Sequence, residues 1–132
     1  TGGCGFIGSN LIRKLLLKTK LKIFNLDKIS YASDNSSLEK FASKYNTDEI
    51  KRYELIQVDL TNFEKTQQAI NYSKPDIIFH LAAESHVDRS LDNPRSFLES
   101  NIIGTYNILE AARNFYKKLN EDKKKLFKLW IT

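Results

Sequence analysis

Gly2-Gly3-Cys4-Gly5-Phe6-Ile7-Gly8 opens the chain and runs straight into Phe6, Ile7, Leu11, Leu15 and Leu16, apolar residues at roughly helical spacing. Two glycine spacings overlap in it. Gly3-x-Gly5-x-x-Gly8 is the dinucleotide-binding pattern, and Gly2-x-x-Gly5-x-x-Gly8 is a variant of it. Small residues let the backbone turn tightly and approach a pyrophosphate, and a helix N-terminus behind them supplies N–H groups and partial positive charge. Glycine clusters also serve plain turns, so context decides. The motif has to open a helix and be followed about 20 residues later by an acidic residue at a strand end. Phe6–Lys18 reads as that helix, Leu21–Leu26 as a short apolar strand, and Asp27 closes it.

A carboxylate at position 27 can accept hydrogen bonds from adenosine ribose hydroxyls and repels a 2′-phosphate, which favours NAD over NADP. Lys28 beside it is a cation that could tolerate the phosphate, and a plain strand-end turn is the bland alternative for Asp27. Downstream, a short helix is expected over 37–45, capped by the Ser36-Ser37-Leu38-Glu39 hydroxyls. A strand follows from Tyr53 to Val58, then a helix from Asn62 to Ser73, broken at Pro75. Asp76–Leu81 is a continuous apolar strand, of the kind buried on both faces of a parallel sheet. Pro94 starts a helix running to about Tyr116, with Phe97, Ile102, Ile108, Leu109 and Ala112 as candidate buried positions. Leu126–Ile131 is the last strand. Strand and helix in alternation predict an α/β fold, a Rossmann-type doubly wound parallel sheet. Residues 1–132 are expected to form one partial NAD-binding domain, truncated before strand 1 and after strand 5, with no substrate domain.

The 132 residues carry 21 Lys plus Arg against 16 Asp plus Glu, a net charge of +5, and are 41% hydrophobic. This composition excludes a wholly disordered or collagen-like chain. No apolar run is long enough for a membrane helix, and no signal peptide is expected. A single cysteine forbids an intrachain disulfide and makes a reducing, cytoplasmic setting the default. The lysines are scattered except between Lys117 and Lys128, where Glu121 and Asp122 interrupt them. That patch reads as a solvated loop, so no nucleic-acid or membrane partner is expected. Trp130 and its aromatic neighbours read as core packing.

Ligands of such sheets bind outside the carboxyl ends of the strands. Asp59 is therefore a candidate for the adenine amino group, with Leu60 on the ring, although Asp59 and Thr61 also suit a helix cap. Leu81-Ala82-Ala83 would let a cofactor approach the backbone. The polar run Glu84-Ser85-His86-Val87-Asp88-Arg89-Ser90 invites a hydrolase reading, but no nucleophile elbow is present. His80 and His86 lack a third ligand at a usual spacing, so no metal is expected. His80 reads as a satisfied core histidine, and Cys4 as a small residue filling a tight space, not as an activated thiol.

Taken in order, Thr1-Gly2-Gly3-Cys4-Gly5-Phe6-Ile7-Gly8-Ser9-Asn10, Leu26-Asp27-Lys28-Ile29-Ser30-Tyr31-Ala32, Asp59-Leu60, His80 through Ser90, and Ser100-Asn101-Ile102-Ile103-Gly104-Thr105 resemble the dTDP-glucose 4,6-dehydratases, extended short-chain dehydrogenase/reductases acting on nucleotide sugars. The glycine loop is shared with many epimerases; the run from Ala82 to Ser90 discriminates better. The resemblance implies that Gly2, Gly5, Phe6, Ile7 and Gly8 meet the pyrophosphate and that Asp27, Lys28, Ile29 and Ser30 hold the adenosine side. It implies Asp59 and Leu60 at the adenine. Leu81, Ala82, Ala83, Glu84 and Ser85 would line the nicotinamide half, Ser85 also lying near the sugar, and Ser100 would be a further contact.

The activity so implied is an internal redox cycle. A hydride leaves C4 of glucose for bound NAD, a Glu removes the acidified C5 proton, an Asp helps the C6 hydroxyl leave as water, and the hydride returns to C6. The resemblance implies that the family's Thr-Asp-Glu triplet starts about Thr132, where the sequence ends, and that its Tyr-x-x-x-Lys pair lies further on, so no catalytic residue is expected here. A homodimer is expected of the full-length protein, through the long helix from Pro94. Two rivals stand beside this: another nucleotide-sugar epimerase or dehydratase of the same superfamily, and a non-catalytic nucleotide-binding module.

Overall fold

The computed structural model describes residues 1–29, 47–85, 91 and 93–132. The helix expected over 37–45, Ser30, and residues 86–90 lie outside them. The chain divides into two compact units, Thr1–Gln57 and Val58–Thr132.

In the first unit, helix α1 (Phe6–Lys18) leads to strand β1 (Ile23–Asp27), a single helical turn α2 (Thr47–Ile50) and strand β2 (Tyr53–Gln57). The strands pair in parallel, Ile23 opposite Tyr53 and Asp27 opposite Gln57. β1 therefore begins two residues later than Leu21 and includes Asp27. The core is Ile12 and Leu16, packed against Ile23, Ile50 and Tyr53. Truncating buried Leu16 to alanine would cost about 2–5 kcal/mol by the usual cavity penalty. Phe6 and Ile7 share the helical spacing but stand 86% and 67% exposed. Ile12, not they, carries the buried stripe of α1. The helix stops at Thr19, whose hydroxyl donates to the Leu15 carbonyl at 2.7 Å. Arg52 reaches back from the start of β2 and donates to the carbonyls of Leu16 (2.8 Å) and Leu21 (2.9 Å). A guanidinium there satisfies a helix C-terminal carbonyl and complements the dipole.

In the second unit, helix α3 (Phe63–Ser73) precedes strand β3 (Ile77–His80). Asn62 is its N-cap, accepting from Lys65 N at 3.0 Å. Lys74 closes it in the left-handed conformation, φ 44°, one residue ahead of Pro75. A helix α4 (Pro94–Leu98) passes through a π-helical turn (Glu99–Ile103) into α5 (Gly104–Lys117). α5 packs on α3, burying Ile108, Ala111, Ala112 and Phe115. The π turn shifts the phase of the helix face. Ile102 is consequently 57% exposed and not the core position expected of one uninterrupted helix. Leu109 also faces outward, one residue off the Ile108–Ala111–Ala112–Phe115 stripe.

The lysine-rich segment is partly helical, contrary to the loop expected. Helix α6 (Glu121–Leu126) starts at Asn120, which accepts from Lys123 N at 3.0 Å. Glu121 pairs with Lys124 at 2.9 Å and Asp122 with Lys125 at 3.9 Å. Acidic residues in its first turn and lysines in its last suit the helix dipole. Leu126 thus belongs to α6, and strand β4 is Lys128–Ile131, parallel to β3 with Phe79 opposite Trp130. Trp130 is 61% exposed, which corrects its assignment to the core. The nearby aromatics do pack: Phe127 lies 6.0 Å from Phe115 and 5.9 Å from Tyr116 between ring centroids.

The architecture is α/β with parallel strands only, arranged among the described residues as two pairs, β1–β2 and β3–β4. No described helix is long and apolar enough to cross a membrane.

Candidate functional site

The glycine loop is held from below by β1. Gly2 N donates to the Leu26 carbonyl at 3.0 Å, and Gly5 N closes a turn onto the Gly2 carbonyl at 3.1 Å. Gly2 has φ 72°, a left-handed conformation that glycine adopts without the cost other residues incur. Two side chains that alternate along β1 to one face grip the loop further. Asn25 Oδ1 accepts from Gly3 N at 2.9 Å, and Asp27 Oδ2 accepts from Cys4 N at 2.9 Å. The other Asp27 oxygen accepts from Ile29 N at 2.9 Å. Asn25 and Asp27 are both buried, so these bonds are shielded from competition by water. Ile29 follows with φ 56°.

Above this base α1 begins at Gly5, which makes no side-chain cap bond. The first-turn N–H groups of any α-helix lack intrahelical partners. A helix start without a side-chain cap, behind a loop of small residues, is suited to an anion. Gly2, Gly5, Phe6, Ile7, Gly8 and Asp27 are therefore gathered into one loop-and-strand assembly. Phe6 and Ile7 hold their side chains outward.

Cys4 lies fully buried in this assembly. Burial first, and the Asp27 charge second, push its thiol up to about 11. The location at a helix start does not activate it, as expected of a space-filling residue. Alkylation by iodoacetamide at pH 8 is expected to run at least about 100-fold slower in the folded protein than in denatured chain, since the thiolate is the nucleophile. Stopped-time mass spectrometry measures this. The same shift has a thermodynamic sign: the folded thiol holds its proton longer than the unfolded one, so the stability it contributes is full below pH 9 and is lost as pH rises from 9 toward 11.

In the second unit, Asp59 is exposed and turns on itself: its Oδ1 accepts from Thr61 N (2.9 Å) and Thr61 Oγ1 (2.8 Å). The helix cap is Asn62. Leu60 is buried against Gly104 of α5. The backbone beneath it is fixed by Asn107, buried, whose Nδ2 donates to the carbonyls of Leu60 (2.8 Å) and Thr61 (3.0 Å). After β3, Leu81, Ala82 and Glu84 are half-buried and Ala83 and Ser85 exposed. Asn101, set in the π turn, holds this segment from both sides: its Oδ1 accepts from Glu84 N at 2.8 Å, and its Nδ2 donates to the Glu84 carbonyl at 2.9 Å. Ser100 precedes it in the same turn.

His80 is buried with its Nε2 2.9 Å from Thr105 Oγ1, a satisfied core histidine. Burial lowers its pKa to about 4. The unfolded imidazole takes up a proton near pH 6.5 and the folded one does not, so its contribution to stability is full above 6.5 and is lost as pH falls toward 4. Urea titrations between pH 7 and 4 are expected to show that decline, and His80→Gln to flatten it.

Sequence reasoning singled out the glycines, Asp27, Asp59, Leu60 and the segment from Leu81 to Ser85. It passed over Asn25, Asn101 and Asn107, the three amides that fix those segments. Among the described residues no group of three or more His, Cys, Asp and Glu is placed to hold a metal.

The sequence model of the GDP-mannose 4,6 dehydratase family matches residues 1–129. The chain belongs to the GDP-mannose 4,6 dehydratase family. Within reach of this family's members it is 41% identical over 128 residues to a dTDP-glucose 4,6-dehydratase of Shigella flexneri, covering 97% of this chain and 34% of that protein. It is 40% identical over 128 residues to one of Haemophilus influenzae, covering 36% of it. The chain thus spans about a third of the length of the curated relatives it matches. The structure of DesIV, a dTDP-glucose 4,6-dehydratase of Streptomyces venezuelae with NAD and TYD bound, is similar with a TM-score of 0.74 at 31% identity over 86% of this chain and 34% of that one. A UDP-glucose 4-epimerase of Thermus thermophilus in complex with NAD gives 0.71 at 29% identity, over 86% of this chain and 32% of that one. These likenesses place the GDP-mannose 4,6 dehydratase family member described here in the Rossmann-type α/β fold.

Proposed function

We propose that residues 1–132 form the NAD-binding domain, in part, of a cytoplasmic dTDP-glucose 4,6-dehydratase that acts on dTDP-glucose as a homodimer, with no nucleic-acid or membrane partner. The observation that carries the NAD-binding part is the glycine loop, and the 41% identity to a dTDP-glucose 4,6-dehydratase supports the substrate. The loop is pinned to β1 through Asn25 and Asp27 and leads into a helix start with no side-chain cap, and a Cβ at Gly8 would collide with the Gly2 and Gly3 backbone, so glycine lets the helix start lie close against the loop. That donor set fits a pyrophosphate, and a buried carboxylate at the strand end fits a ribose. NAD, when bound, would supply reversible hydride transfer, which a 4,6-dehydration needs once in each direction.

The chain's own part is to bind and orient. Gly2, Gly5, Phe6, Ile7 and Gly8 would cradle the diphosphate, and Asp27, Lys28, Ile29 and Ser30 the adenosine. Asp59 and Leu60 would meet the adenine. Leu81, Ala82, Ala83, Glu84, Ser85 and Ser100 would line the nicotinamide side, with Ser85 reaching the sugar. No catalytic role is assigned to a residue of this chain.

A 4-epimerase is the second reading, favoured by the nearly as close fold of the NAD-bound Thermus enzyme, with a TM-score of 0.71 against 0.74. The higher identity to dehydratases weighs against it. Assaying the gene product on dTDP-glucose and UDP-glucose decides between them. A 4-keto-6-deoxy product from dTDP-glucose is expected; an epimer, or turnover of the UDP sugar alone, overturns the proposal.

A further inference from the structure

The side chain of Asn25 occupies the space that a Cβ on Gly3 would need: that Cβ would lie 2.2 Å from Asn25 Oδ1 and 2.5 Å from the Ile12 Cδ1 methyl. Gly3 and Asn25 are therefore fitted to each other. The carboxamide is also saturated. Its oxygen accepts from Gly3 N at 2.9 Å, and its nitrogen donates to Cys4 Sγ at 3.4 Å and to Tyr53 Oη at 3.1 Å. Tyr53 stands on β2, in the register row of Ile23, so the amide ties the loop to both strands. A buried asparagine in a parallel strand is costly unless each of its groups is paired, and these are.

From this geometry we infer that Asn25 is a positioning residue for cofactor binding: it sets the resting position of the glycine loop, so that the N–H groups behind it face a diphosphate before one arrives. The inference rests on the reading of that loop as a dinucleotide cradle. Asp27 grips the next amide but could also meet the ligand. Asn25 is walled in by Gly3, Cys4 and Tyr53 and acts only through the loop.

Its effect follows from populations. If the loop adopts the cradle position only part of the time, apparent affinity falls by that fraction. Replacing Asn25 by leucine, which branches at the same atom but is bulkier and apolar, leaves the Gly3 N–H buried without an acceptor, an expense that drives the loop off its seat by about tenfold or more.

Two measurements on the gene product test this. In the unmodified protein, hydrogen exchange at the Gly3 amide is expected to be as slow as at the β1 amides paired to β2. Exchange as fast as in an open loop overturns the inference without any variant being made. In Asn25→Leu, calorimetry is expected to show NAD binding weakened at least about tenfold, and Gly3 exchange faster while the β1–β2 amides stay protected. Unchanged affinity, or uniform loss of protection across the unit, overturns it, the second because Asn25 would then be merely a core residue. Should the unmodified protein fail to bind NAD, the functional reading falls, and exchange at Gly3 still decides whether Asn25 positions the loop.

Discussion

Alanine at Gly8 is expected to remove about 3 kcal/mol of stability and to weaken NAD binding by more than about 100-fold. The new Cβ would lie 2.2 Å from the Gly2 carbonyl oxygen and 2.7 Å from Gly3 Cα. Both obstacles are backbone, so neither can rotate aside. Gly2 is tied to Leu26 and Gly3 to Asn25, so relief comes only from breaking those bonds or tilting the first turn of α1. Either movement takes the helix N–H groups off the diphosphate. Gly5→Ala is the control for stability. A Cβ there would sit 3.4 Å from the Gly2 oxygen, and φ −78° suits any residue. Its unfolding free energy should change by less than about 1 kcal/mol, in the range of an N-cap substitution. Denaturant titration and NAD calorimetry read both outcomes; tight binding by Gly8→Ala would refute the cradle.

Asp27→Asn is the second large effect, and it separates two roles of one carboxylate. As a structural group, Asp27 accepts from Cys4 N on one oxygen and from Ile29 N on the other. An amide offers one oxygen and faces the other N–H with a donor of its own. The expected loss is about 1–3 kcal/mol for the unpaired buried N–H. As a ligand group it would hold the ribose and repel a 2′-phosphate. Removing the charge is expected to weaken NAD by about 10- to 100-fold, as for charged hydrogen bonds, and to weaken NADP less, so that the preference for NAD narrows. A stability loss with the NAD-to-NADP ratio unmoved would confine Asp27 to holding the loop.

The parts of the site legible in the sequence are those whose signal is local. Glycines at fixed offsets before an apolar helix, and an acid at the next strand end, depend on neighbours within a turn or on one strand length. The α3 start at Asn62 and the stop before Pro75 are of the same kind. Asn25, Asn101 and Asn107 are different: each bonds a backbone 22, 17 and 46 or 47 residues away, and an isolated asparagine in a strand or helix carries no periodic signal. The exposure of Phe6 and Ile7 was hidden for a related reason. Helical spacing finds a stripe but does not say where along the helix the covering element ends. The π turn between Leu98 and Gly104 has no compositional mark, and it is what carried Ile102 out of the expected face.

The parallel pairing of the strands sets an order in time. β1 and β2 meet with Ile23 against Tyr53, so this pair can close once Gln57 has emerged from the ribosome. Among the described strands, the partner of β3 is encoded after α5 and α6, since Ile77 faces Lys128. At the pace of translation, about 5–20 residues per second, that wait lasts several seconds. During it the Ile77-Ile78-Phe79 edge stands without β4, and an unpaired strand edge is open to capture by a chaperone or by another chain.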